Sequence, residues 1–162
     1  MKRAALLTLE FIAITVPLTW LWMEWGREAY ADVFNPLAAP FLAWAGYPNS
    51  QIGSIPQRFI NYVPFLALMA ITPRLSPMRR VFGTAIGCVA IFVGHVAFVL
   101  ASIWAYARYG ETPEAVARLF PALVLCDALP FVVWAVIAHR FVRDIAMRAS
   151  RRVFAEPPTS SG

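Results

Sequence analysis

VFGTAIGCVAIFVGHVAFVLASIWAY, residues 81–106, holds no Asp, Glu, Lys or Arg and no Pro. An α-helix rises about 1.5 Å per residue and the hydrocarbon core of a bilayer is about 30 Å thick, so about 20 such residues suffice to cross it. The stretch exceeds that length and reads as a membrane-spanning helix. It also fixes lipid as the solvent in which the neighbouring sequence is read.

On its C-terminal side a second apolar run covers residues 119–141, interrupted only by Asp127 and ending at His139-Arg140. On its N-terminal side lies a short basic turn, residues 73–80, carrying Arg74, Arg79 and Arg80. Before that, residues 56–72 form a shorter run with Arg58 and Asn61 near its start. A fourth run, residues 4–25, follows Lys2 and Arg3 and ends in Trp20, Trp22 and Trp25, as an interfacial aromatic belt would. Ala29-Tyr30-Ala31 has the form of a signal-peptide cleavage site. The preceding run is long for a signal sequence and carries Glu10, so the pattern predicts an uncleaved anchor.

Whole-chain composition agrees: 60% hydrophobic and 14% charged, against about 45–50% and about 25% in soluble domains. The pattern predicts one all-α domain over residues 1–145, a four-span bundle. The segment 26–58 reads as a loop, with an apolar stretch too short to span and interrupted by Pro36 and Pro40; an interfacial or re-entrant element is expected there. Tyr47-Pro48-Asn49-Ser50 and Gly53 have turn chemistry. Residues 146–162 read as a cytoplasmic tail, basic and then Pro/Ser-rich, without enough apolar content to fold.

Cytoplasmic flanks of membrane helices are enriched in Lys and Arg. Lys2, Arg3, Arg74, Arg79, Arg80, Arg140, Arg143, Arg148, Arg151 and Arg152 fall on one side of a four-span arrangement, and Arg27, Arg58, Arg108 and Arg118 on the other. Glu24, Glu28, Asp32, Glu111 and Glu114 join the smaller group. Both termini are therefore expected in the cytoplasm. The net charge of +5 is explained by this flanking pattern and does not form the aromatic-interleaved surface of a nucleic-acid binder.

A polar group inside the hydrocarbon costs about 2.5–3.5 kcal/mol on insertion scales if charged, so each needs a reason. The candidates are His95, Asp127, Glu10 and Asn61. His95 and Asp127 lie near mid-span in runs joined by a short loop and are expected at similar depth. As a pair they would be either a hydrogen bond holding the bundle together or a proton-binding unit. Glu10 lies near the inner end of its run, within reach of the interface or of Arg79 and Arg80. Asn61 lies near the outer end, where hydration makes a polar side chain cheap.

Pro17, Pro64 and Pro130 each remove a helical N–H, freeing the carbonyls of Ala13, Ile60 and Cys126. Kinks at these points would leave a cavity in the bundle. Gly83, Gly87 and Gly94 line one helix face and allow close helix packing, within the monomer in preference to a dimer seam. Cys88 and Cys126 sit at different depths and are not expected to be bridged. No CxxC, His/Cys cluster, phosphate-binding loop or hydrolase motif is present, so no metal or cofactor is predicted.

Asn61-Tyr62-Val63-Pro64-Phe65-Leu66-Ala67-Leu68, Thr72-Pro73-Arg74-Leu75 and Arg79-Arg80, with Leu129-Pro130-Phe131-Val132-Val133-Trp134 and His139-Arg140-Phe141, resemble small membrane proteins that accompany bacterial exosortases. The resemblance implies a bacterial inner membrane, no catalytic residues of its own, and a part in protein sorting at the envelope. Exosortases themselves use Cys, Arg and His in that chain order. Here His95 precedes Arg118 and Cys126. The expectation is a non-enzymatic accessory or assembly subunit that binds another membrane protein. The alternatives are a small transporter or channel module using His95 and Asp127, and an intramembrane enzyme using Cys126 with His95.

Overall fold

The computed structural model describes residues 2–48, 55–73 and 75–155. Arg74, the turn residues Asn49, Ser50 and Gly53, and the Pro/Ser-rich tail from Glu156 lie outside the described residues. Within them the chain is all helix, without strands: α1 (Lys2–Leu21), a π-helical turn (Trp22–Gly26), α2 (Arg27–Trp44), a 3-10 turn (Ile55–Arg58), α3 (Tyr62–Ile71), α4 (Pro77–Tyr109), α5 (Pro113–Ile137) and α6 (His139–Ala155). Two of the described helices, α4 and α5, are long and apolar enough to cross a membrane.

The α4–α5 hairpin is the spine. Both helices start earlier than the apolar runs alone predict, α4 at the far end of the hairpin and α5 at its connection, because a Ser/Thr-Pro cap precedes each. Ser76 Oγ accepts from the Arg79 amide at 3.3 Å with Pro77 at the first helical position, and Thr112 Oγ1 accepts from the Ala115 amide at 3.4 Å with Pro113 following. Gly110, at φ +67°, ends α4 in the left-handed region that a side chain disfavours.

Residues 27–44 of the predicted loop are helical. Leu21, Gly26 and Arg27 all keep helical angles, so α1 runs through the π turn into α2. Pro36 and Pro40 are accommodated inside α2. Each removes one hydrogen bond, but α2 recovers stability by burying Ala31, Phe34, Ala38 and Leu42, spaced three and four apart on one face.

The run at residues 56–72 is not a single helix. A 3-10 turn, an irregular link at residues 59–61 and the ten-residue α3 divide it. Alone, α3 is about 15 Å long, half a bilayer. Pro64 sits in its first turn, where its missing N–H is no loss, and the Ile60 carbonyl accepts from the Val63 amide at 3.0 Å. Pro64 therefore kinks nothing. The tail also differs from expectation, since helix α6 continues to Ala155.

Two side-chain clusters fill the bundle. Phe34, Ala38, Leu42 and Phe59 pack against Val96, Val99 and Cys126, while Phe65 and Met69 pack against Ile91 with Val133, Trp134 and Ile137 around them. α2 thus covers one half of the hairpin and α3 the other. Gly83, Gly87 and Gly94 sit at these seams. A Cβ at Gly87 would overlap the Phe65 ring, one at Gly94 the Leu129 side chain, and one at Gly83 would lie 2.8 Å from Ile137 Cγ2 and 3.2 Å from Met69 Cε.

Candidate functional site

The irregular link between the 3-10 turn and α3 lies where the two clusters meet, opposite His95 of α4. The Phe59 ring stacks on the imidazole at 3.8 Å between centroids and 7° between planes. Tyr62 and Tyr30 meet it edge-on at 5.5 and 5.7 Å. Trp22 of the π turn closes the group, 5.7 Å from Tyr30 and 5.9 Å from Tyr62. Gly26 makes room for it: a Cβ there would sit 2.8 Å from the Trp22 ring.

His95 is fully buried. Its Nδ1 shares a hydrogen bond of 2.7 Å with the Tyr30 hydroxyl. Its Nε2 is buried with no partner. If Tyr30 donates, the imidazole proton sits on the unpaired Nε2; if Nδ1–H donates, Nε2 presents a bare lone pair. Either way one ring nitrogen is unsatisfied. Trp22 Nε1, Arg27 Nε and Thr15 Oγ1 are likewise buried without partners.

Asn61 lies in the same link and is buried, where a hydrated side chain was expected. Its Nδ2 donates to the Cys126 carbonyl at 2.8 Å and lies 3.8 Å from the Cys126 sulfur. That carbonyl is the one Pro130 deprives of its helical donor. The proline and the asparagine, 69 positions apart in the sequence, are two parts of one device. Asn61 thereby anchors this irregular link to α5.

Two further polar contacts tie down the C-terminal end of α3. Trp134 Nε1 donates to Thr72 Oγ1 at 2.8 Å, and the Thr72 hydroxyl donates to the Leu68 carbonyl at 2.5 Å. The Arg80 guanidinium donates to the carbonyls of Ala70 and Thr72, both at 2.9 Å. A cation on the orphan carbonyls at a helix C-terminus satisfies both the hydrogen bonds and the helix dipole.

The structure does not bring His95 to Asp127. Asp127 is exposed on the outer face of α5, one position round the helix from the buried Cys126. Adjacent helical positions differ by about 100°, so place along the helix, which the sequence gives, does not fix the facing. Glu10 is exposed on α1, and Arg80 spends its donors on α3. Cys126 makes no pair with His95, because the ring nitrogen not bonded to Tyr30 has no partner. Both cysteines are free. Among the described residues no three His, Cys, Asp or Glu side chains converge as metal ligands would.

Tyr30, Phe59, Thr72, Trp134 and the capping role of Arg80 escape a reading of the sequence. Only the spacing of Tyr30 with Phe34 and Ala38 carried a signal, since it marks the buried face of α2. The chain matches no protein-family model, no curated protein and no solved structure.

Proposed function

We propose that the chain is a four-span, N-in/C-in protein of a bacterial inner membrane that acts as a non-enzymatic accessory subunit of a larger membrane complex. The membrane reading is supported by what the apolar helices leave uncovered. Only 11% of an 18-residue apolar stretch of α5, and 33% of one in α4, is buried. A core helix of a soluble domain would be covered by its neighbours. Leu125, Val132 and Val136 of α5 and Ile86, Val89 and Val93 of α4 are all more than half exposed, which suits lipid.

The observation that carries the accessory role is Asp127. It is exposed at mid-helix among Val124, Leu125, Phe131 and Val132, themselves exposed. A carboxylate facing acyl chains is penalised by about 2.5–3.5 kcal/mol. A donor on a neighbouring membrane protein removes that penalty. The polar groups Asn61, Thr72 and Tyr30 are meanwhile used in contacts between elements, and the interior is filled with aromatic rings, which favours a scaffold over a conduction path.

The test is photo-crosslinking from positions 125 and 132 in cells, alongside co-purification in mild detergent. The resemblance to exosortase-associated proteins nominates an exosortase as the first partner to probe. Asp127→Leu is expected to abolish the crosslink while leaving membrane insertion intact. An undiminished crosslink in that variant would remove the basis of the reading.

A further inference from the structure

At the arginine-rich end of the hairpin the α3–α4 turn and the α5–α6 junction enclose a cleft of about 350 Å³. Its apolar wall includes Leu75, Ile137 and Phe141; its polar lining is Ser76, Arg79, Arg140 and Asp144. The two guanidinium groups come from different helices, α4 and α6. Both arginines are exposed. Among the described residues neither side chain is held in an ion pair, in contrast to Arg118, which meets Glu114 at 3.6 Å, and to Arg80, which is fully engaged on α3. The Asp144 carboxylate is likewise in no ion pair.

We propose that this cleft holds the headgroup of an aminophospholipid. The phosphate sits between Arg79 and Arg140, the ammonium is set against Asp144, and the glycerol end rests on the apolar wall. Two guanidinium groups match the oxygens of a phosphodiester. A lone carboxylate beside them would repel a purely anionic headgroup but complements a zwitterionic one. Continuity with α6 places the cleft at an interface. The α6 sequence, HRFVRDIAMRASRRVFA, carries five arginines and one acid, and Val142, Ile145, Ala149 and Val153 fall at helical spacing, the pattern of a basic helix lying in a membrane surface. The inference rests on the membrane reading, with this end in the cytoplasmic leaflet.

Native mass spectrometry of the full chain, released from detergent with phosphatidylethanolamine, phosphatidylglycerol or inorganic phosphate added, tests it. Phosphatidylethanolamine is expected to be retained in preference to phosphatidylglycerol, with inorganic phosphate failing to compete. The double variant Arg79→Gln/Arg140→Gln should weaken retention about tenfold or more. Asp144→Asn should reverse the preference towards phosphatidylglycerol. Unchanged retention in the arginine variant, equal retention of both lipids by the parent chain, or competition by inorganic phosphate would each overturn the proposal. Helical content measured by circular dichroism separates loss of the site from loss of the fold. Carbonate extraction of membranes tests the membrane reading on its own: a protein that stays in the membrane yet ignores these substitutions refutes only the lipid site.

Discussion

Removing the Asn61 carboxamide isolates the device that joins the irregular link to α5. Asn61→Ala leaves the Cys126 carbonyl, at 2.8 Å in the parent chain, without a donor, because Pro130 has no N–H to offer it. Leaving a buried acceptor unpaired costs about 1–3 kcal/mol in soluble proteins, whereas hydrogen bonds between membrane helices average about 0.6 and reach about 1.7 kcal/mol. The absence of any helical donor puts this carbonyl at the upper end, so a loss of about 1–2 kcal/mol is expected. Pro130→Ala restores an amide to the same carbonyl. In that background Asn61→Ala should cost about 1 kcal/mol less, and this difference is the coupling energy of a double-mutant cycle. The void left by truncating the buried proline is present in both arms and cancels. Reversible unfolding in mixed micelles, followed by circular dichroism, reads all four stabilities. Strict additivity of the two substitutions would refute the link between Asn61 and Pro130.

Gly87→Ala should lower stability by about 1–3 kcal/mol through overpacking against Phe65, and Phe65→Leu should recover part of it; a neutral Gly87→Ala in the same unfolding assay would contradict the seam. His95→Phe keeps a ring on Phe59 and deletes both the Tyr30 bond and the unpaired Nε2. Expression and partner crosslinking should persist in that variant, whereas loss of crosslinking at normal expression would assign the imidazole a direct functional role. Arg80→Gln should destabilise the C-terminal end of α3 by about 1–3 kcal/mol, since two carbonyls lose a charged donor. Hydrogen exchange confined to residues 68–72 should report it, and unchanged protection there would count against the cap.

How much of this was legible beforehand depends on the kind of signal. The helices α4 and α5 follow from uninterrupted apolar runs, though their true starts lay in Ser76-Pro77 and Thr112-Pro113, where caps extend them past the apolar residues. The helicity of α2 was obscured because two prolines outweigh an amphipathic pattern that only its packing partners reveal. The division of residues 56–72 was hidden because a fully apolar run has no period from which to locate a break. For the site, Pro130 correctly marked a free carbonyl, but the donor came from Asn61, an element distant in sequence. Asp127 shows the complementary limit: sequence gives its place along the helix, and only the rotation of α5 decides that it looks outward.

The spacing of the two central tethers bears on how the chain is made. Tyr30 waits for His95, and Asn61 for the Cys126 carbonyl, each across 65 positions. At about 5–20 residues per second of synthesis, every first partner is in place about 3–13 s before its second leaves the ribosome. During that interval the half-built protein carries a stranded carboxamide on a segment whose partners have not yet been made. On the proposed membrane reading, completion of the hairpin is the event that satisfies the segment around Asn61, and truncation before residue 126 should leave nascent chains that quality-control proteases remove.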